Sequence, residues 1–281
     1  MKALHDVPAP AKLNLFLHIT GRRPDGYHLL QSAFMLIDWC DTLHFEVRRD
    51  GQISRQDLTT ALPADDLIVR AARLLQEHAG HAQGAQIAVE KRIPAQAGMG
   101  GGSSDAASCL LALNRLWNLG LDLPELEKLG LQLGADVPFF LRGGHAWVEG
   151  VGERITPLTL PPATFRVIKP AQGLDTGAIF RHPQLNRASK AATILDFAAD
   201  PYGFGHNDLQ PVAEQICPDV TQALRLLADT GLKGRMTGSG SAVFALCPSG
   251  TAPAQVPDHW LVSDCSNLEV HPLQGCAASD N

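Results

Sequence analysis

From Ala11 to Ile19 the chain alternates. Ala11, Leu13, Leu15, Leu17 and Ile19 are apolar, with Lys12, Asn14 and His18 set between them. A period of two predicts a half-buried strand, and it puts Lys12 and Asn14 on the same face. The turn-forming run Gly21-Arg22-Arg23-Pro24-Asp25-Gly26 ends that strand. Further strands are predicted over 33–37 and 42–47 and around Ile87, Val89 and Ile93. A helix is predicted over 67–79, with Asp66 as N-cap and Gly80 as its stop. Ala106, Ala107, Leu110, Leu111, Leu113 and Trp117 recur at helical spacing directly after a glycine-rich run. Another helix spans 126–133, with Gly134 after it. Pro138 suits the first position of a short helix, which sets Asp136 just before its start.

Residues 146–151 and 154–158 read as a hairpin turning at Gly152-Glu153. The second half offers a strand over 165–168, an irregular Pro-bearing stretch, a helix over 220–229 and a second glycine-bearing segment over 234–245. Pro161-Pro162 is the predicted boundary, dividing the chain into 1–160 and 161–281. The last stretch, roughly fifteen residues, reads as loosely ordered.

Composition narrows the classes. A length of 281 residues suits two domains, and 45% hydrophobic with 19% charged residues excludes wholesale disorder. With 23 basic against 29 acidic side chains the net charge is −6, which disfavours nucleic acid or a membrane surface as partner. The cysteines, at 40, 109, 217, 247, 265 and 276, form no Cys-x-x-Cys pair. A disulfide scaffold and a zinc site are therefore not expected, and a cytoplasmic location is. No continuous apolar stretch follows Lys2, so no signal peptide is expected. The charge-free run from Met236 to Pro257 is too rich in Gly, Ser, Thr and Pro to cross a membrane.

The chemistry concentrates in Gly98-Met99-Gly100-Gly101-Gly102-Ser103-Ser104-Asp105. Glycine permits positive φ and lets N–H groups turn inward, and a helix N-terminus adds the positive end of its dipole. Together they form an anion cradle, with Ser103 and Ser104 able to cap the helix or donate to phosphate. Positive φ is expected at Gly101 as elsewhere in the run. The run lacks the Gly-Lys-Ser/Thr ending of a P-loop. A flexible loop with ordinary serine capping is the plainer alternative.

The segment from Pro94 to Ala107 resembles the phosphate loop of the GHMP kinases, which include galactokinase and the homoserine, mevalonate and phosphomevalonate kinases. Three more segments narrow the likeness to members whose acceptor is a cytidine-diphosphate alcohol. They are Pro10-Ala11-Lys12-Leu13-Asn14-Leu15-Phe16-Leu17, Arg23-Pro24-Asp25-Gly26-Tyr27-His28-Leu29-Leu30 and Arg235-Met236-Thr237-Gly238-Ser239-Gly240. The resemblance runs from near Pro8 to near Phe244. It implies an α+β GHMP kinase fold, with an N-terminal domain like ribosomal protein S5 domain 2 and a ferredoxin-like C-terminal domain. It implies ATP and Mg²⁺, and transfer of the γ-phosphoryl group to a hydroxyl of the cytidine-diphosphate alcohol, on the methylerythritol phosphate route to isoprenoid precursors. Another GHMP acceptor, mevalonate- or homoserine-like, is the alternative, and a non-catalytic nucleotide-binding protein of the same fold is a third reading.

By the same resemblance Pro94, Gly98, Met99, Gly100, Gly101, Gly102, Ser103 and Ser104 match the ATP-binding positions, and Lys12 and Asp136 the catalytic pair. Tyr27 and His28 match the cytosine contacts, Phe180 the opposing aromatic and Thr176 a polar neighbour. Asn14 and Asp136 are expected to meet the acceptor's hydroxyls. No metal ligands are assigned. Plainer roles exist for several: Asp136 serving a helix dipole, Lys12 guarding a sheet edge, Phe180 filling a core. Adenine contacts from Asp65 and Asp66 are not firmly matched. Asp105, at the helix start, would compete with phosphate unless it meets a metal or solvent. Thr237-Gly238-Ser239-Gly240 either lines the site or forms a tight turn.

Overall fold

The computed structural model describes residues 2–80 and 82–274. Two long antiparallel strands, β1 (Ala3–Arg22) and β2 (His28–Arg48), form the spine of a six-stranded sheet. The other strands are β3 (Ile53–Asp57), β4 (Gly84–Glu90), β5 (Ala146–Gly150) and β6 (Arg154–Pro157), ordered β3-β4-β2-β5-β6, with β1 on the far edge of β2. The segments 33–37 and 42–47 are thus one strand, and Ile93 lies beyond β4. Helices α1 (Leu67–Ala79), α2 (Gly101–Leu116), α3 (Leu123–Leu133) and α4 (Val137–Arg142) cover one face. Their core includes Phe34, Phe45, Leu75, Leu110, Phe139 and Phe140. Helix α3 starts earlier than its apolar spacing indicates, because Asp122 and Glu125 form a capping box ahead of it.

After residues 158–163 the chain enters a four-stranded antiparallel sheet. Its strands are β7 (Thr164–Lys169), β8 (Arg235–Met236), β9 (Val243–Leu246) and β10 (Leu261–Ser266), ordered β10-β7-β9-β8. Helices α5 (Thr176–Arg181), α6 (Ile194–Ala199), α7 (Gln210–Ile216) and α8 (Pro218–Asp229) complete the α+β architecture. The predicted strand and helix of this half are β7 and α8.

Strand β1 is not half-buried. Lys12, Asn14 and His18 are as inaccessible as the apolar set. A register shift between Asn14 and Leu17 puts Leu15, Phe16 and Leu17 all inside. Both sides of the strand are covered. Ala11, Leu13 and Leu15 share a core with Phe165, Val167 and Phe244 of the second half. The side expected to face water is closed by the glycine segment, where Lys12 donates to Gly98 O, and by Gly238, which lies against Asn14. The end of the chain also departs from expectation. Residues 267–274 form a strap back to the first sheet, with Leu268 N–H donating to Leu36 O at 2.9 Å and His271 N–H to Gly143 O at 2.7 Å. Leu268 and Leu273 pack on the first core, which is why this stretch is ordered. Residues 275–281, the rest of the stretch read as loose, lie outside the described residues.

Candidate active site

Between β4 and α2 the backbone takes positive φ at Gly98 (+72°) and Gly100 (+74°). Both glycines are also forced by space. A Cβ at Gly98 would lie 2.2 Å from Thr237 O, and one at Gly100 would lie 2.8 Å from Phe140 Cζ. Gly101 and Gly102 differ: they form the first turn of α2, so the expected positive φ at Gly101 is absent. The N-cap is Gly100, with no side-chain cap, so the serine caps are not formed. Uncapped N–H groups at the start of a sixteen-residue helix are free for an anion. Ser103 lines the adjoining cleft. Ser104 does not; it is fully buried, and its hydroxyl has no hydrogen-bond partner among the described residues.

The cleft has a volume of about 1490 Å³ and runs along the glycine segment. Lys12 and Asp136 face each other across it at 3.9 Å, Nζ to Oδ2. The Lys12 ammonium also donates to Asn14 Oδ1 and, at 3.0 Å, to Gly98 O, and it sits 4.8 Å over the Phe34 ring. Burial pushes the Lys12 pKa below its ordinary value, and the Asp136 carboxylate opposes that shift. Asp136 is the N-cap residue of α4, yet its side chain makes no cap bond. It turns to Lys12 instead, which argues against a purely helical role. Pro138 is the second residue of that helix, one place later than predicted. Asn14 donates from Nδ2 to Ser32 Oγ at 2.9 Å, and its backbone N–H donates to Thr237 Oγ1 at 2.9 Å.

The segment Thr237-Gly238-Ser239-Gly240 does line the site. Gly238, Ser239 and Gly240 reach the cleft, and the segment backs the first glycine run. Ser241 N–H donates to Gln96 O at 3.1 Å, and a Cβ at Gly238 would lie 2.7 Å from Gly98 O.

One end of the cleft carries Tyr27, His28, Thr176 and Phe180. Tyr27 is 65% exposed. Phe180 is half-buried: it packs on the second core while also lining the cleft. The His28 and Phe180 rings touch, with centroids 5.1 Å apart, so a flat ring does not fit between these two. Thr176 Oγ1 and Ser239 Oγ are 2.6 Å apart. Arg187, which the sequence did not single out, donates from Nε to His28 Nε2 at 3.1 Å.

Leu62, Leu67, Ile93 and Pro94 give the cleft an apolar stretch of wall. Asp66 is committed there: it caps Val69 N–H and pairs with Arg55 at 2.6 Å. Asp65 is exposed and pairs with Arg73 at 3.9 Å. Asp105 is nearly inaccessible and has a cationic partner of its own. It is buried against the Lys91 ammonium, which also binds Asp41, and burial holds the Asp105 carboxyl above the usual range, to about 7, against the pull of Lys91. Sequence spacing carried no signal for Asp41 or Lys91, because the cluster joins residues 50 and 14 positions apart.

Residues 66–144 match the GHMP kinases N terminal domain, and residues 185–263 the GHMP kinases C terminal. A two-sheet α+β chain with a glycine-bounded helix terminus on its cleft belongs to that class of kinases, as its sequence motifs indicated. The chain is 62% identical to the 4-diphosphocytidyl-2-C-methyl-D-erythritol kinase of Variovorax paradoxus (strain S110), covering 99% of this chain and 100% of that one. It is 64% identical to the enzyme so named in Acidovorax sp. (strain JS42), covering 97% and 98%. It therefore belongs to the 4-diphosphocytidyl-2-C-methyl-D-erythritol kinase family. A crystal structure of 4-(cytidine 5'-diphospho)-2C-methyl-D-erythritol kinase superposes with a TM-score of 0.77 at 34% identity, over 93% of this chain and 99% of that one. A mevalonate kinase structure shares the fold, with a TM-score of 0.66 at 13% identity.

Proposed function

We propose that this chain transfers the γ-phosphoryl group of ATP to the 2-hydroxyl of 4-diphosphocytidyl-2-C-methyl-D-erythritol, a step toward isoprenoid precursors. The observation that carries the reading is one cleft holding the Lys12–Asp136 pair beside an uncapped helix terminus. In this reading the N–H groups of α2 and the glycine segment hold the triphosphate. Asn14 and Asp136 orient the acceptor hydroxyl, and Asp136 takes its proton as the new P–O bond forms. The Lys12 ammonium offsets charge on the phosphoryl group in flight. ADP is the leaving group. Tyr27, His28, Thr176 and Phe180 hold the cytidine end, and binding the base there positions the hydroxyl.

Among the described residues no cluster of three or more His, Cys, Asp or Glu could hold a metal ion. In this reading magnesium would enter as its ATP complex, and the Ser103 hydroxyl, which lines the cleft beside the helix terminus, is the side chain that would help hold it. Bound there, it would neutralise part of the phosphate charge. No helix among the described residues is long and apolar enough to cross a membrane. The described cysteines are all unpaired, which suits the reducing cytoplasm.

The test is ADP formation by the purified chain with ATP, Mg²⁺ and each of three alcohols: 4-diphosphocytidyl-2-C-methyl-D-erythritol, mevalonate and homoserine. Turnover with the first alone is expected. Efficient turnover of mevalonate or homoserine, with none of the cytidine compound, overturns the assignment.

A further inference from the structure

Arg187 lies in the irregular stretch after α5, where its guanidinium makes four hydrogen bonds. Nη2 donates to Phe180 O at 3.1 Å and to His182 O at 2.9 Å, and Nη1 donates to Leu185 O at 3.1 Å. These bonds fix the plane of the fork on the backbone that carries Phe180. The fourth, from Nε to His28 Nε2 at 3.1 Å, crosses to the start of β2. Arginine has no acceptor and does not deprotonate, so Nε2 of His28 must be the acceptor. A neutral imidazole that accepts at Nε2 carries its proton on Nδ1. The ring also has reason to stay neutral: burial, then the Arg187 and Arg22 charges, hold its pKa below the ordinary value. The charged groups facing it are therefore both cationic, Arg22 from the end of β1 and Arg187 from beyond α5.

We infer that Arg187 is a positioning residue for pyrimidine choice: it ties His28 to the Phe180 backbone and fixes His28 as an Nδ1–H donor on the cleft. The inference rests on the reading that this end of the cleft takes the cytosine. Cytosine presents an unprotonated N3, which accepts from Nδ1–H. Uracil presents N3–H at the same place, so two donors would meet and one buried hydrogen bond would be lost. Without Arg187 the ring is free to adopt the other tautomer, with Nδ1 as acceptor, and the distinction fades. The guanidinium thus acts through His28 and need not touch the base.

The experiment compares kcat/KM for the cytidine-diphosphate alcohol and its uridine-diphosphate analogue. Wild type, Arg187→Met, Arg187→Lys, His28→Ala and the Arg187→Met/His28→Ala double variant are measured side by side. Arg187→Met is expected to narrow the cytidine-to-uridine ratio by about 10-fold or more. Arg187→Lys, which keeps a charged donor, is expected to recover most of the ratio. In the His28→Ala background Arg187→Met should leave the ratio unchanged, because the two residues act as one unit. The KM for ATP should not move in any variant. A residue that only braces the loop would lower both kcat/KM values together and leave their ratio as in wild type; that result, in Arg187→Met or through failure of Arg187→Lys to rescue, overturns the inference. If the wild type ignores the cytidine compound altogether, the underlying functional reading fails instead, and the two failures are told apart by the wild-type arm.

Discussion

Lys12 is a buried ammonium with three oxygen neighbours and an aromatic face, and only Asp136 among these partners carries a full negative charge. Burial favours loss of its proton, and Asp136 favours keeping it. The sign follows directly. In wild type the basic limb of the kcat/KM profile should fall below the ordinary lysine value, and in Asp136→Asn it should move lower still. The same variant should lose about 10²- to 10⁴-fold in kcat, the usual cost of removing a positioned base. Its KM for ATP should change little. A basic limb at the same pH in both proteins would show that Lys12 does not titrate with the activity. Phe180 admits a comparable test. Because it both packs on the second core and lines the cleft, Phe180→Ala should lower stability and also reduce kcat/KM for the cytidine substrate by roughly 5- to 150-fold, the range of one base stack. A lower Tm with unchanged kinetics would assign the ring to the core alone.

At the scale of elements, the glycine run divides into a loop that needs glycine and a helix that tolerates it. Gly100→Ala puts a Cβ at positive φ and against Phe140 and Lys12, a combined cost of about 1–3 kcal/mol, and the displaced Lys12 should raise the KM for ATP. Gly102→Ala meets only Leu67 Cδ1 at 3.5 Å, an ordinary contact, and should gain about 0.5–1 kcal/mol from the helix it joins. Thermal unfolding of the two variants checks this; equal losses would contradict the division. The sequence located the run but not the division. Which glycines continue as helix depends on packing against Ile93 and Leu67, and composition does not encode that. Alternation put Lys12 and Asn14 on one face, because a period of two is a local property of the strand. The burial of that face was hidden, since its cover comes from the glycine segment, 86 positions from Lys12 to Gly98, and from the Thr237 turn, 223 positions from Asn14. Arg187 was hidden for the same reason: 159 positions separate it from His28, and a lone arginine in irregular chain has no pattern.

On the whole-molecule scale the chain's return to its own first sheet joins the parts that make the cleft. The strap of residues 267–274 runs from β10 to the C-terminal end of α4, whose other end carries Asp136, and its His271 reaches Ser108 of α2 at 3.3 Å. Ser108 donates its proton to Pro8 O at 3.2 Å, so the hydroxyl oxygen accepts from His271 Nε2–H, while Nδ1 accepts from Leu273 N–H at 3.1 Å. Both ring nitrogens are satisfied in the neutral form. Burial holds the pKa of His271 down to about 4, and that of nearby His145 likewise to about 4. In the unfolded chain each histidine titrates near 6.5. Below that value the unfolded state binds more protons than the folded one, so stability is complete above about pH 6.5 and falls as pH drops toward 4. At about 1.4 kcal/mol per pKa unit, each histidine withdraws roughly 3 kcal/mol by pH 4. His271→Gln removes one titration while keeping an N–H that can reach Ser108. It should be somewhat less stable than wild type at pH 7.5, yet lose distinctly less between pH 7 and pH 4.5. Denaturant unfolding of both proteins across that range measures the difference. Parallel stability curves would mean that the strap releases His271 before the fold gives way, and that its burial does not govern the acid limit of this enzyme.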